Sequence, residues 1–422
     1  MTRHRTKQTV KASSFFVCLV ILAVGSVFAG GIDNNHNFSA EYVRTLNRNA
    51  ATDSADAVIY NPAGVVRMED GFRVNLAGQY IFKDYRHTYG GTEYDTDEPD
   101  FVPGLFCLHK KDRWAAFAAF TMPCGGGTVD YRDGSKTTLT IAQGIISAYP
   151  TLYDGSITSQ RMEAESYYYA LTAGGAYALN DKLSVSFGIR HVDAQIKRKG
   201  SATLGRTALG MGAGVPETLI LDYEETDSGW AGILGLNLML TEDLNIALRY
   251  ETKTSLDLET KEKEDNIDLI TDGSRKRRDL PALLGFGVSY NITSRLRGEA
   301  DVTYYFNKDA KWDDDSLTSA DETDKSNGYD AGIALEYAVS AGLICSLGFM
   351  VTETGISPDN MSIEAPQLDA KTLAGGICYK LMSNLNLNVG ILKAFYDDET
   401  MADGTRLEKD VTILAVGFDY KL

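Results

Sequence analysis

Proline, histidine and cysteine are all scarce in this 422-residue chain, at nine, five and five copies. Few prolines leave long stretches of backbone with every N–H available to a ladder. Beyond residue 29 the histidines are His36, His87, His109 and His191, and none stands in a recognisable Ser/His/acid arrangement or beside a G-x-S-x-G turn. Nucleophilic catalysis needs a nucleophile, a base and an orienting group, so the chain is not expected to be an enzyme or to carry a cofactor. Basic residues are outnumbered, 41 Lys and Arg against 58 Asp and Glu for a net charge of −17, which argues against nucleic acid as a partner. Long apolar runs are missing too, apart from the one between Phe15 and Phe28. It follows Arg3, Arg5, Lys7 and Lys11 and ends at the small Ala29, so residues 1–29 read as a signal peptide and the mature chain as starting near Gly30. Cys18 is not at the cleavage junction, which argues against a lipoprotein. Nothing later approaches the roughly 18–20 consecutive apolar residues of a membrane helix. An exported chain of this kind is either soluble or crosses a membrane as strands.

What the chain does have is alternation. In residues 245–257 the even positions Ile246, Leu248, Tyr250 and Leu256 are apolar, and the odd positions Asn245, Arg249, Glu251, Lys253 and Asp257 are polar. Residues 295–307 repeat the pattern with Leu296, Ala300, Val302, Tyr304 and Phe306 against Arg295, Arg297, Glu299, Asp301 and Asn307. Residues 72–83 set Phe72, Val74, Leu76, Tyr80 and Phe82 against Arg73, Asn75, Gln79 and Lys83. Runs of this length exceed the usual soluble strand of about five or six residues and fit tilted membrane strands. Further segments near 98–110, 112–130, 163–180, 182–200, 218–240, 279–291, 324–338, 341–353, 368–381, 383–396 and 408–422 bring the total to about fourteen. Forty Gly, 23 Tyr and 16 Phe suit the same reading, since aromatic girdles mark the two interfaces of a barrel. An even strand number lets a single chain close, as it must where no lipid-facing backbone group can stay unpaired. Tight turns such as 180–181 and 241–243 belong to the periplasmic side, and long loops at 131–162, 201–217, 259–278 and 309–323 to the outside. The last strand alternates Leu414, Val416, Phe418, Tyr420 and Leu422 against Asp419 and Lys421, the form of an outer-membrane assembly signal with Leu in place of the usual Phe.

Ahead of the first strand lies AATDSADAVIYNPAG, residues 50–64. Pro62 fixes its own φ and donates no hydrogen bond, Asn61 before it is pushed out of the helical region, and Gly64 permits φ > 0, so the stretch reads as a rigid knuckle. It resembles the amino-terminal hatch of the FadL family of outer-membrane transporters. The similarity continues through DFVPGLFCLHKKDRWAAFAAF (100–120), CGGGTVDY (124–131), DSGWAGILGLNLMLTEDLNIALRYETKTSLDL (227–258) and DLPALLGFGVSY (279–290), covering most of residues 30–300. The last third carries only the generic barrel pattern. The resemblance implies an all-β, 14-stranded antiparallel transmembrane barrel (71–422) in the bacterial outer membrane, closed by a small hatch of short helices (30–70). It also implies passive uptake of long-chain fatty acids or other hydrophobic molecules, with no metal. The ligand would be captured outside, held in a lumenal pocket floored by Asn61, Pro62 and Ala63, and released sideways at a kink in the third strand.

Pro123 with Gly125, Gly126 and Gly127 is the kink candidate, because Pro removes a ladder donor and glycines carry no side chain; the bland reading is an ordinary bulge. Leu204, Leu209, Met211 and Val215 lie in a loop that should be polar, and form either a greasy landing patch or a lid over the mouth. The loop at 259–278 is mostly charged. Its Arg275, Lys276, Arg277 and Arg278 could meet a fatty-acid carboxylate or lipopolysaccharide phosphates, but a rim cluster balancing nearby acids is the preferred reading. Arg73, Arg249, Arg297, Glu251, Glu299 and Asp301 should face the lumen as structural ion pairs. Residues 131–162, with helical spacing broken by Gly144 and Pro150, should fold over the pore, and the acidic loops lack the ordered spacing of a calcium site. Strand parity sets Cys345 and Cys378 on opposite faces of neighbouring strands. Cys107 and Cys124 are left as a disulfide or, preferably, as free small hydrophobes. The expected partners are a fatty acid, alkane or aromatic hydrocarbon and outer-membrane lipid, around a monomer. A general or substrate-selective porin for small hydrophilic solutes is the alternative, ahead of an adhesin or a barrel phospholipase.

Overall fold

The structure, a computed structural model, describes residues 39–313 and 325–422. The expected signal peptide, the start of the hatch and most of the acidic stretch 311–325 lie outside the described residues. Fourteen wall strands follow one another in chain order: β1 (Gly71–Tyr89), β2 (Asp100–Lys111), β3 (Trp114–Tyr131), β4 (Tyr153–Ala178), β5 (Leu183–Arg206), β6 (Thr218–Met239), β7 (Leu244–Glu251), β8 (Leu283–Asn291), β9 (Leu296–Tyr305), β10 (Gly328–Ser340), β11 (Leu343–Glu353), β12 (Ala370–Met382), β13 (Leu385–Tyr396) and β14 (Arg406–Lys421). Each pairs antiparallel with the next, and β14 returns to β1 from Arg73↔Lys421 to Thr88↔Arg406, which closes the barrel.

Parity organises the wall as the sequence pattern requires. On β1, Leu76, Tyr80 and Phe82 point outward and are exposed, while Asn75, Gln79, Lys83 and His87 are buried inside. On β7 and β9, Leu248, Tyr250 and Val302 face out, and Asn245, Arg249, Glu251, Glu299 and Asp301 face in. An apolar outside and a polar inside are the reverse of a soluble domain, and only lipid around the wall makes that arrangement favourable.

Several boundaries differ from the sequence reading. β1 runs on to Tyr89, β4 starts at Tyr153 rather than near 163, and β5 reaches Arg206. Residues 259–278 are not a plain loop: Asp257–Asp265 pairs with β6 and with Arg275–Arg277, extending β7 and β8 as a hairpin. Beyond the bilayer the outward face of a ladder meets water instead of lipid, so the apolar alternation that marks a strand fades while its hydrogen bonds continue. Residues 136–148 form a helix that runs through Gly144 and stops before Pro150.

Residues 39–70 fill the barrel. Helix α1 (Ala40–Thr45) is capped by Ser39, whose hydroxyl accepts from Tyr42 N at 3.0 Å and donates to Asp56 at 2.6 Å. Six residues are too few for a helix to stand alone, so packing holds it. It lies against the inner face of β11–β14, where a Cβ at Gly376, Gly390 or Gly417 would strike Arg44, Val43 or Ala40. Helix α2 (Ala57–Tyr60) ends at Asn61, as expected of the residue before Pro62. Gly64 does not adopt the left-handed conformation proposed for it. It opens a 3-10 turn (Gly64–Arg67), and a Cβ there would meet the Asn61 side chain and, at 2.9 Å, Ala51 O.

Ionic and amide contacts bolt this hatch to the wall. Arg48, fully buried, bonds Asp56 at 2.6 Å and Asp53 at 2.8 Å. Arg297 reaches Glu299 at 2.6 Å, Glu336 at 2.7 Å and Asp53 at 3.5 Å, and Arg44 also pairs with Glu336. Asp301 and Glu299 accept the backbone N–H groups of Asn49 at 2.7 Å and Ala50 at 2.9 Å. Arg249 and Arg190 share Glu251 at 3.0 and 2.7 Å, and Arg73 lies 3.7 Å from Asp419. Arg73, Arg249, Arg297, Glu251 and Glu299 are thus ion-paired, whereas Asp301 instead accepts a hatch N–H, and Arg44 with Glu336 and Arg297 with Asp53 tie the hatch to the wall. Breaking one partner out of such a buried pair typically costs about 3–5 kcal/mol.

Candidate functional site: a window in the wall and the cavity behind it

The seam between β2 and β3 is interrupted. β2 and β3 are in register only between Leu105↔Phe120 and Lys111↔Trp114. Past Phe120, β3 bends inward: Thr121, Met122 and Pro123 are buried in succession, which no regular strand allows. Its pairing with β4 also slips, between Thr121 and Cys124 and again between Cys124 and Gly127. In the backbone ladder, residues 100–104 of β2 therefore pair with β1 alone, and 121–131 of β3 with β4 alone. The upper edge of the gap is closed by Asp130 N donating to Thr96 Oγ1 at 2.9 Å.

The sequence-predicted kink residues occupy this gap. Gly125 and Gly127 adopt φ of 121° and 70°, conformations that L side chains resist, and a Cβ on them would strike Ser166 O and the Asp100 carboxylate respectively. Gly126 is different: its φ is ordinary, and a Cβ would find only Ala365 at 3.9 Å. It faces open space.

That space is a cavity of about 280 Å³ in the outer half of the lumen. Cys124, Gly125 and Gly126 form one side, and Met162, Tyr168, Ile196 and Leu221 supply apolar walls. Helix α3 (Lys136–Ala148), capped at Ser135, covers it with Thr137, Thr138 and Ile141, so residues 131–162 do fold over the pore. Arg198, Lys199, Arg278 and Lys409 bring positive charge to the same lining, and Asp279 and Glu364 bring negative charge. A second cavity of about 30 Å³, lined by Ile81, Val102, Met122, Leu392, Val411 and Ile413, meets the first at Tyr85 and residues 124–126. The two cavities thus lie on either side of the kinked strand's Cys124, Gly125 and Gly126.

The other predicted residues divide. Leu204, read as an exposed loop residue, lies inside β5 and is fully buried beside Tyr153 and Leu219, because the ladder extends past the bilayer there. Val215 packs on the same cluster. Leu209 and Met211 stand on helix α4 (Ala208–Ala213) at 61% and 58% exposure, as a landing patch requires. Asn61, Pro62 and Ala63 line neither cavity. Asn61 Nδ2 donates to Ala51 O at 3.0 Å and Asn237 Oδ1 at 2.8 Å, Ala63 O accepts from Ser184 at 2.6 Å, and Pro62 abuts Gly235, so the triplet staples the hatch to β5 and β6. Arg275 and Arg277 pair with Glu259 and Asp279, Lys276 lies 4.0 Å from Glu225, and Arg278 donates to Asp313 O at 2.8 Å, the balanced rim expected of them. Cys107, Cys124, Cys345 and Cys378 are free thiols, and Cys345 and Cys378 sit one register position apart on opposite faces. Sequence reasoning missed Lys83, Asp100 and Tyr167, which crowd the window. Their letters are ordinary for strands, and only the register break brings them together.

The comparisons agree with this geometry. Among solved structures, the chain resembles the toluene transporter TodX of Pseudomonas putida (16% identity, TM-score 0.65, covering 88% of this chain and 96% of that one). It also resembles a Pseudomonas aeruginosa FadL homologue (14%, 0.69, 94% and 100%) and the Ralstonia pickettii toluene transporter TbuX (15%, 0.62, 90% and 99%). At such identities the likeness is one of fold. No curated protein matches the sequence. The model of the outer membrane protein transport family (OMPP1/FadL/TodX) matches residues 20–421, and with the closed 14-stranded barrel this shows that the chain is an outer-membrane protein belonging to that family.

Proposed function

We propose that the protein is a monomeric channel that takes up fatty acids, alkanes or aromatic hydrocarbons from outside the cell and releases them sideways into the outer membrane. The solved neighbours include toluene transporters, which fits a hydrophobic cargo. Leu209 and Met211 gather the ligand, the cavity under α3 holds it, and the gap between β2 and β3 passes it to lipid. The observation that carries this reading is the interrupted β2–β3 seam, with two cavities lined by the kinked residues 124–126. The bolted hatch supports it from the other side, since a route straight through would require breaking the buried contacts of Arg44 with Glu336, of Asn49 N–H with Asp301 and of Ala50 N–H with Glu299 at once. The lining is apolar with charges of both signs, four cationic side chains against Asp279 and Glu364, which suits an amphiphile as well as a neutral aromatic.

The test uses Gly126, the one gate glycine that tolerates a side chain. Cells whose only such channel is this protein receive labelled oleate or labelled toluene, with and without Gly126→Val. Uptake of either ligand that falls to background in the variant, at unchanged amounts of folded protein, fits lateral passage and identifies the substrate class. Ingress of small hydrophilic solutes with neither ligand taken up would instead favour a porin.

A further inference from the structure

The window in the wall is closed by side chains instead of a backbone ladder. Tyr167 lies on β4 and shares the parity of the exposed Tyr169 and Leu171, so it belongs to the outer face. Yet its hydroxyl donates to Asp100 Oδ1 at 3.0 Å, and its ring lines the small inner cavity. It reaches both sides because β3 bulges in front of it, between Cys124↔Tyr168 and Gly127↔Ser166. Thr128 of β3 hydrogen-bonds the same hydroxyl at 2.8 Å, and its backbone N–H donates to Asp100 at 3.1 Å. From within, Lys83 of β1 pairs with Asp100, buried on both sides, and also donates to Gly126 O at 2.9 Å. One carboxylate thus gathers a group from β1, from β3 and from β4 across a gap that no strand pairing spans. Opening it requires rotating side chains and breaks no ladder.

We propose that Tyr167 is the leaf and Asp100 the catch of this window, so that strength of their contact sets how fast a bound hydrophobic ligand leaves. The proposal rests on the lateral route above. It assigns the catch to the protein's own carboxylate, so a neutral and an anionic ligand should respond alike.

Initial uptake rates of labelled toluene and labelled oleate by cells carrying Tyr167→Phe or Asp100→Asn test this. Phe keeps the ring and removes the hydrogen bond to a charged group, which should raise both rates by about tenfold. Combining Tyr167→Phe with Gly126→Val should return uptake to background. Asp100→Asn leaves Lys83 buried without its partner and can fail to assemble, whereas Tyr167→Phe preserves that ion pair and carries the test alone. Rates that stay level or fall in Tyr167→Phe, while Gly126→Val still blocks, overturn the catch and leave the lateral route standing. If Gly126→Val has no effect, the lateral route fails, and the catch with it.

Discussion

Glu41, on the hatch and outside the spanning strands, shows how one side chain can set the firmness of a plug. Its Oε1 accepts from Asn75 at 2.6 Å, Asn388 at 2.8 Å and Ser54 at 3.0 Å, joining the hatch to β1 and β13. Its Oε2 has no hydrogen-bond partner among the described residues. Burial, and then the carboxylates of Asp56 and Asp419, push the Glu41 carboxyl up to about 8. A carboxyl raised in the folded state stabilises it fully below the ordinary value of 4.5, and that contribution is lost as pH rises through about 8. Hydrogen-exchange protection of residues 40–45, corrected for intrinsic rates, should therefore decline between these two pH values. Glu41→Gln should flatten the decline, and a flat wild-type profile would contradict the assignment. Nothing in the letters around Glu41 announces this, because its neighbours Asn75, Asn388 and Asp419 come from strands far apart in the chain.

At the level of elements, legibility follows the surroundings of each segment. Strands inside the bilayer have one lipid face and one polar face, so 245–251 and 296–305 could be read residue by residue. Strands above it lose that contrast: Asp257–Asp265 reads as a charged loop but forms a ladder with cross-strand pairs such as Glu259 with Arg275. The same overshoot buries Leu204 in β5 and leaves Leu209 and Met211 alone on α4. The kink was visible because Pro123 and three successive glycines forbid an ordinary strand. The crossing of Tyr167 through the wall was not, since parity alone places it against lipid. If α4 is the landing patch, replacing both Leu209 and Met211 by Asp removes apolar contact worth a few kcal/mol at most and should weaken capture by about tenfold or more. Titration of a fluorescent long-chain fatty acid against the purified protein measures it. Unchanged affinity would move the capture step to α3 or to the rim.

For the molecule as a whole, the deficit of apolar helices and the repeating alternation already required a closed barrel, and the wall confirms it from β1 round to β14. The interior was less legible, because ion pairs among Arg48, Arg297, Asp53, Glu299 and Glu336 depend on how the hatch seats against β9 and β10. Arg297 with Asp53 and Arg44 with Glu336 tie the hatch to the wall of the lumen. Two routes out of it can be told apart by where a ligand touches the protein. A fatty acid with a diazirine near its methyl end, supplied to cells and photolysed during uptake, should leave adducts in the cavity and on Phe101, Phe120 and Tyr169 at the lipid side of the window. Adducts on Thr52, Asp53 or Arg295, which line the space beneath the hatch, with none at the window, would contradict lateral release.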